Sequence, residues 1–243
     1  MEMAEERIAE RIDANLLGVS MEDLHMLNRK LFNDKIQKLQ SKTTGTLIIK
    51  EYPTASAGAN HYRALVNELA LKRTFKPDLI FIDYINICAS SRFKPGSNVN
   101  SYTYIKAIAE ELRGLAVELD VPIVTATQTT RTGFVSTDIG LEDTSESFGL
   151  PATADFMFAL ISSEELERAG QMLVKQLKNR YNDPTVNRKF IIGVDRSRMK
   201  LFDIEQQAQN LIQPEQEKYV EHNLKAKEES PEEKYQKFQD FKF

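Results

Sequence analysis

A strand, a helix and a second strand follow one another between residues 78 and 128, and this order constrains the fold more than any other feature. The two strands, 78–86 and 123–128, are almost continuous apolar runs, which is typical of strands covered on both faces. Apolar spacing in threes and fours predicts the helix between them: Ile105, Ile108, Leu112, Leu115 and Leu119. Such an arrangement predicts two parallel strands joined by a right-handed crossover. The chain is therefore predicted to have an α/β fold.

The rest of the chain adds helices and strands on both sides of this crossover. Apolar periodicity and end signals predict helices over 4–17, 21–40 and 60–74. Runs rich in β-branched and aromatic residues predict strands over 46–53 and 154–161. A turn signal at 181–184 separates 171–178 from 189–195, which predicts a β-hairpin.

The composition is that of a soluble globular protein without the bulk charge to hold nucleic acid. Of the 243 residues, 41% are hydrophobic and 28% are charged, and the net charge is −4. Any contact with DNA must therefore be local. The single cysteine, Cys88, excludes an internal disulfide and fits a reducing compartment. No apolar run approaches the ~20 residues of a membrane helix, so we expect a cytoplasmic protein.

Two segments depart from the regular pattern. Residues 129–149 are rich in Ser, Thr, Gly and Asp, and a stretch of this length inside a domain is usually either functional or a misassigned element. From Pro214 onward nearly half of the residues are charged. We interpret 1–205 as one domain and 206–243 as a charged tail that is partly helical or disordered.

Polar residues end the two strands of the crossover. Asp83 follows the four apolar residues 79–82, and Gln128 ends the next strand. In open α/β sheets the ligand lies beyond the carboxyl ends of the strands. Four apolar residues followed by Asp is also how a P-loop NTPase presents the carboxylate that acts on Mg²⁺, usually through water. The alternative is structural, because an Asp at a strand end is commonly a turn former or a helix cap.

Three further charged residues have a functional and a structural interpretation. Glu2 begins a helix, where the helix dipole alone favours a carboxylate, but it could also act as a general base for water. Lys178 and Arg180 lie on one side of the hairpin turn. Such an arginine could reach a phosphate on a neighbouring subunit as an arginine finger, or it could simply be solvated.

Several motifs that accompany such sites are missing from the sequence. The phosphate-binding loop G-x-x-x-x-G-K-[ST] does not occur in these 243 residues, although the strand-end Asp and Gln call for it. Neither G-x-S-x-G nor G-x-G-x-x-G occurs. The three histidines lack partners at metal-ligand spacing.

Four segments of this chain, taken in order, resemble the later motifs of the RecA-like motor domain of DnaB-class hexameric replicative helicases, most of all the T-even-type phage members. They are KPDLIFIDYINI (76–87), AIAEELRGLAVELDVPIVTATQTTR (107–131), TSESFGLPATADFMFAL (144–160) and KQLKNR (175–180). The resemblance covers roughly 1–205. It implies a RecA-like P-loop NTPase core with a mostly parallel sheet, helices on both faces and a carboxyl-terminal β-hairpin.

The resemblance also implies a role for each residue singled out above. Glu2 would be the catalytic base, and Asp83 would be the Walker B aspartate acting on the Mg²⁺ that accompanies ATP. Gln128 and Arg131 match a Gln-x-x-Arg motif that couples the γ-phosphate to DNA-contacting loops. Lys178 and Arg180 match a Lys-x-Arg pair that reaches the ATP of the adjacent subunit.

Two departures from the family pattern affect these expectations. Bacterial members carry Arg-Glu-Ser-Gly in the channel loop, whereas this chain has Ser145-Glu146-Ser147-Phe148, so Glu146 and Ser147 are weaker candidates for contacts with single-stranded DNA. The second departure is that the family's P-loop, its strand and an amino-terminal domain would all precede Met1. We therefore expect a core truncated at its amino terminus, lacking two strands and exposing an apolar edge.

The resemblance favours the carboxyl-terminal part of an ATP-dependent, phage-type replicative DNA helicase, acting in a bacterial host's cytoplasm as a hexameric ring on single-stranded DNA. The chain alone is predicted to be inactive. A non-catalytic RecA-like binding module, a RecA-type recombinase and an unrelated α/β protein remain alternatives. The tail, with Phe238, Phe241 and Phe243, could dock on a primase, helicase loader or polymerase, or merely cap a helix.

Overall fold

A computed structural model describes residues 3–94, 98–129, 140–141, 149–183 and 185–204. Its helices are α1 (Glu5–Leu17), α2 (Met21–Met26), α3 (Arg29–Gln40), α4 (Ala59–Arg73), α5 (Ser101–Leu119), α6 (Gly149–Thr153) and α7 (Glu164–Arg168), with a 3-10 turn at Ile85–Ile87. Its strands are β1 (Ile80–Ile82), β2 (Ile123–Thr125), β3 (Phe156–Ile161), β4 (Gln171–Asn179), β5 (Lys189–Asp195) and β6 (Lys200–Asp203).

The predicted crossover is present, and α5 organises the main core around it. The Asn100 side chain caps the helix by accepting from the Thr103 amide, and Asp120 ends it in the left-handed conformation. Strands β1 and β2 pair in parallel, with Ile80 opposite Ile123. The apolar stripe of α5 is buried against these strands, α4 and α6. The buried residues of this core are Ala57, Ala59, Tyr62, Ile82, Ile85, Cys88, Ile105, Ile108, Ala109, Leu112, Leu115 and Leu150.

The remaining four strands form an antiparallel sheet in the order β3-β4-β5-β6. It contains the predicted hairpin, since β4 pairs with β5 from Gln171 opposite Gly193 to Lys175 opposite Lys189. Alternate residues of a strand face opposite sides. On β3, Ala159 and Ile161 are therefore buried, whereas the large residues of the other face are exposed: Phe156, Phe158 and Leu160.

The two crossover strands are shorter than predicted, since β1 ends at Ile82 and β2 at Thr125. The structure differs from the sequence-based expectations in three further places. The predicted helix 21–40 is two helices, because Leu27 is extended and the Asn28 side chain caps α3 by accepting from the Leu31 amide. Residues 46–53 do not form a strand, and their backbone is held instead by α1, where Glu5 accepts from the Glu51 amide at 2.7 Å. The sheet was expected to be mostly parallel, yet among the described strands only β1 and β2 pair in parallel.

Some apolar surface of the parallel pair is open to solvent. Phe81 on β1 is 69% exposed and Val124 on β2 is 42% exposed, although parallel strands are usually covered on both faces. In the part of the chain that the structure describes, no helix is both long and apolar enough to cross a bilayer.

Candidate functional site

The first group of candidate residues lies where β1 and β2 end side by side. The register places Ile82 opposite Thr125, so that Asp83 and Ala126 leave the sheet at the same edge. Two hydrogen bonds extend the pairing beyond the strands. The Thr125 hydroxyl donates to the Ile82 carbonyl at 2.9 Å, and the Ile85 amide donates to the Ala126 carbonyl at 3.2 Å. The carboxyl ends of β1 and β2 therefore lie at one edge of the sheet, as parallel topology predicts, and hydrogen bonds stabilise this edge.

Two side-chain contacts join the loops at this edge. Gln128 donates from Nε2 to the Tyr84 hydroxyl at 3.3 Å, and the Thr127 hydroxyl donates to Asn86 Oδ1 at 2.9 Å. Asp83 and Gln128 themselves are exposed. Tyr84 and Asn86 were not singled out from the sequence, although their position directly after a strand-end Asp was a usable signal.

The second group, Lys178 and Arg180, lies at the end of β4. Lys178 is in the strand, and Arg180 directly follows its last residue, Asn179. Both turn back onto their own chain: Lys178 Nζ donates to the carbonyls of Pro151 and Ala152, and Arg180 Nη2 donates to the Ala152 carbonyl at 2.8 Å. Partial burial lowers the pKa of the Lys178 ammonium, and the nearby Arg180 adds to that effect.

Asp155 connects this second group to α5. Its Oδ1 accepts from Arg180 Nη1 at 3.0 Å and from Arg113 Nη1 at 2.8 Å. Partial burial raises the pKa of Asp155, but the bonds and charges of Arg113 and Arg180 outweigh burial, so the pKa lies below its usual value. Neither Asp155 nor Arg113 was identified from the sequence, because their pairing joins residues far apart in the chain.

The chain matches a known protein family along most of its length. The family model described as the DnaB-like helicase C-terminal domain matches residues 1–229. The chain belongs to this family. The resemblance inferred from the sequence motifs is confirmed.

Curated relatives of this DnaB-family chain include replication proteins of a phage and of bacterial plasmids. A DnaB-like replicative helicase of Enterobacteria phage T4 is 49% identical over 209 residues, which is 85% of this chain and 44% of the relative. A probable plasmid replicative DNA helicase of Chlamydia muridarum is 34% identical over 134 residues, 54% of this chain and 28% of the relative. The chain thus spans less than half the length of these relatives.

Two solved structures share the fold. A DnaB-like replicative helicase, described with its interactions with primase, superposes with a TM-score of 0.65 at 18% identity, covering 84% of this chain and 49% of the other. A second structure, described as an ATPase domain, superposes with a TM-score of 0.66 at 17% identity, covering 84% of this chain and 72% of the other. The predicted RecA-like α/β fold is thereby confirmed.

A magnesium-bound nucleotide is compatible with the first group of residues. Asp83 offers one exposed carboxylate at the strand ends, and among the described residues no group of three or more His, Cys, Asp or Glu could enclose a metal ion. Mg²⁺ in nucleotide sites usually needs only one or two carboxylates, since waters and phosphate oxygens supply the other ligands. One carboxylate therefore fits Mg²⁺ better than a metal that requires an all-protein cage.

The candidates separate into those that the structure describes and those that it does not. Within the described part, no hydrogen bond or ion pair joins Asp83 or Gln128 to Lys178 or Arg180, so the two groups are independent local arrangements. The other candidates lie outside the described residues: Glu2, Arg131, Glu146 and Ser147.

Proposed function

We propose that this chain is the later part of the RecA-like motor of an ATP-dependent replicative DNA helicase, which unwinds duplex DNA by translocating on single-stranded DNA as a hexameric ring. The observation that carries the proposal is the family match over residues 1–229, together with Asp83 and Gln128 at one edge of the parallel strands. In an open α/β sheet this edge borders the ligand crevice.

In the proposed site, Asp83 orients the Mg²⁺ of bound ATP through water, and Gln128 contacts the γ-phosphate. Mg²⁺ would neutralise charge on the β- and γ-phosphates. The bond from Gln128 to the Tyr84 hydroxyl supports this pairing, because it ties the proposed phosphate sensor to the residue next to Asp83. Loss of the γ-phosphate contact at Gln128 would then be felt at Tyr84, at the end of the other strand.

The remaining roles extend the same proposal. Glu2 polarises the attacking water. Lys178 and Arg180 reach the ATP of the adjacent subunit with the N–H donors that their bonds to α6 and Asp155 leave over. Arg131, Glu146 and Ser147 contact single-stranded DNA through backbone amides, hydroxyls and one guanidinium, which suits a chain with a net charge of −4.

The proposed setting is DNA replication in the cytoplasm of a bacterial host. Association with a primase is supported by a structural neighbour described with its interactions with primase. A helicase loader or a polymerase is a further proposed partner of the tail at 206–243, which carries Phe238, Phe241 and Phe243.

These 243 residues alone are proposed to be inactive towards ATP. The sequence contains no G-x-x-x-x-G-K-[ST], and without that loop there is neither a backbone cradle for the phosphates nor a lysine on them. The test compares this chain with a chimaeric helicase, in which the chain replaces the region that it matches in the phage T4 relative. We expect DNA-stimulated ATP hydrolysis and unwinding from the chimaera, and neither from the chain alone.

The proposed role of Asp83 is tested in the same chimaera. Asp83→Asn should lower kcat by roughly 10- to 100-fold, because a group that orients a metal through water typically contributes that much. Asp78→Asn is the matched control, since Asp78 is also an exposed aspartate but lies before the first residue of β1, away from the edge that carries Asp83. Equal activity of the two variants would remove Asp83 from the site.

One alternative is a RecA-like module that joins a replication complex without catalysis. This alternative predicts that the chimaera assembles but gains no turnover. A recombinase would instead form D-loops and leave forked DNA wound. Turnover by the unmodified chain would overturn the inactivity stated above.

A further inference from the structure

Arg180 is anchored by two directional hydrogen bonds at the end of β4. Nη1 donates to the Asp155 carboxylate and Nη2 to the Ala152 carbonyl, while the Arg180 amide donates to the Asp155 carbonyl at 3.0 Å. A guanidinium has five N–H donors. Within the described residues these two side-chain bonds use two of them, so Arg180 can be fixed by its own chain and still bind an anion.

Asp155 links Arg180 to helix α5, because its carboxylate also accepts a hydrogen bond from Arg113 of that helix. Arg113, the second donor to Asp155 Oδ1, lies on α5 between Leu112 and Leu115, both of which are buried in the main core. Arg113 also donates to the Thr153 carbonyl at 2.6 Å. The carboxylate of Asp155 is thus bonded to Arg113 of α5 and to Arg180 through the same oxygen, Oδ1.

The same arrangement fixes the end of α6. The last carbonyls of a helix lack partners within the helix, and cations near that end are favourable. Arg180 takes the carbonyl of Ala152, Arg113 takes that of Thr153, and Lys178 takes that of Pro151. Asp155, two residues after α6 ends, is the only carboxylate in the described part that bonds to both arginines.

We propose that Asp155 is a positioning residue for Arg180: through Arg113 it ties the guanidinium to α5, so that the remaining N–H donors are presented in one orientation to the phosphate of a neighbouring subunit's ATP. This inference rests on the proposed function, which supplies the phosphate. Asp155 itself touches no nucleotide in this scheme. It acts only through Arg180.

The first test measures the order of the Arg180 side chain in the 243-residue chain, without nucleotide. The ¹⁵N{¹H} NOE of Arg180 Nε, assigned by its loss in Arg180→Lys, should be high in the unmodified chain. In Asp155→Ala it should fall towards the value of Arg168, whose side chain is 79% exposed. Asp155→Asn should be intermediate, because the amide oxygen still accepts a hydrogen bond but lacks the charge.

The second test measures ATP hydrolysis in the chimaeric helicase. Arg180→Ala should lower kcat by about 10³-fold, which is the low end for an arginine finger. Asp155→Ala should lower kcat by about tenfold with KM within twofold, and Asp155→Asn should restore most of the loss. Because Asp155 acts through Arg180, the double variant Asp155→Ala/Arg180→Ala should be no slower than Arg180→Ala alone.

Asp195→Ala is the matched control, since Asp195 accepts from Arg198 at 3.1 Å but lies at the end of β5. It should leave both the Arg180 NOE and kcat unchanged. If Arg180→Ala lowers kcat while Asp155→Ala changes neither kcat nor the NOE, the positioning role is overturned and the proposed function stands. An additive double variant also overturns it. If Arg180→Ala itself has no effect on kcat, Arg180 does not act on the ATP of the adjacent subunit, and this inference fails together with that part of the proposed function.

Discussion

The α5 core and the antiparallel sheet differ in how much of their apolar surface is buried. In the α5 core, a helix buries a full apolar stripe against a parallel strand pair, α4 and α6. In the described part of the antiparallel sheet, the second buried cluster is Ala159 and Ile161, with Leu173 and Leu177 packed against it. Val174 and Ile191 are buried elsewhere in the sheet. The large residues on the other face of β3 are exposed.

The two regions should differ in their sensitivity to substitution. Removal of a close-packed side chain leaves a cavity that its neighbours cannot fill, whereas a half-exposed side chain has water on one side already. We therefore expect equivalent substitutions to cost much more in the α5 core than in the antiparallel sheet. Arg113, Asp155 and Arg180 connect the two regions.

The largest expected contrast is between two leucines. Leu115 is fully buried in the α5 core, whereas Leu160 on β3 is 53% exposed. Leu115→Ala should lower the free energy of unfolding by about 4 kcal/mol through lost burial and cavity formation. Leu160→Ala should cost less than about 1 kcal/mol. Urea denaturation of the purified chain, followed by far-UV circular dichroism, measures both. Similar losses would mean that the two regions are equally packed.

A smaller contrast is expected between two glycines. A Cβ at Gly58 would lie 2.0 Å from the Ala89 carbonyl oxygen, and that backbone is fixed by the bond from the Ala89 amide to the Ala57 carbonyl. A Cβ at Gly193 would meet the Phe202 ring at 2.3 Å, but this ring is partly exposed and can turn outward. Gly58→Ala should cost about 3 kcal/mol and Gly193→Ala about 1 kcal/mol or less.

Thermal and urea unfolding of the two glycine variants should agree on this ranking. The reverse ranking would place the less adaptable packing in the antiparallel sheet. Gly45→Ala is the control, because a Cβ there meets nothing within 4 Å.

The smallest expected effect is a pH dependence at the junction of the two regions. Because the folded chain lowers the pKa of Asp155 below 3.8, its ion pairs stabilise the fold above that pH and are lost as the pH falls through the folded value. The stability difference between the unmodified chain and Asp155→Asn should therefore be constant near neutrality and shrink below pH ~4. Partial exposure keeps the effect small. Urea titrations from pH 3 to 7 measure it, and a difference that grows in acid would contradict it.

The sequence predicted the elements whose evidence is local. Apolar spacing alone predicts helix α5 with its apolar stripe, and the turn residues predict the β4–β5 hairpin. Both are present in the structure. The strand predicted over 46–53 was wrong, because β-rich composition does not provide a pairing partner. The sequence does not predict the break between α2 and α3 at Leu27 and Asn28, because the apolar spacing typical of a helix continues across these two residues.

The candidate site divides in the same way. Parallel topology predicts that consecutive strands end at one edge, and the structure brings Ile82 and Thr125 level there. Asp83 directly follows β1, whereas Gln128 was predicted to end the second strand and lies three residues beyond the end of β2. Lys178 and Arg180 were found through motif resemblance, which indicated a residue type and a spacing. Their bonds to the carbonyls of α6 and to Asp155 could not be predicted, since those partners are more than twenty residues away.

The family, the α/β class, the crossover and the position of Asp83 after a strand could all be predicted without a structure, because periodicity, motif order and the spacing of elements are present in the linear chain. The folded chain was needed to show that α5 forms the main core while the large residues on one face of β3 are exposed. The fold also shows that Arg180 is bonded to Asp155, a carboxylate that Arg113 binds as well, rather than projecting freely. Such contacts depend on how distant segments pack, and that packing is set by the burial of the whole chain.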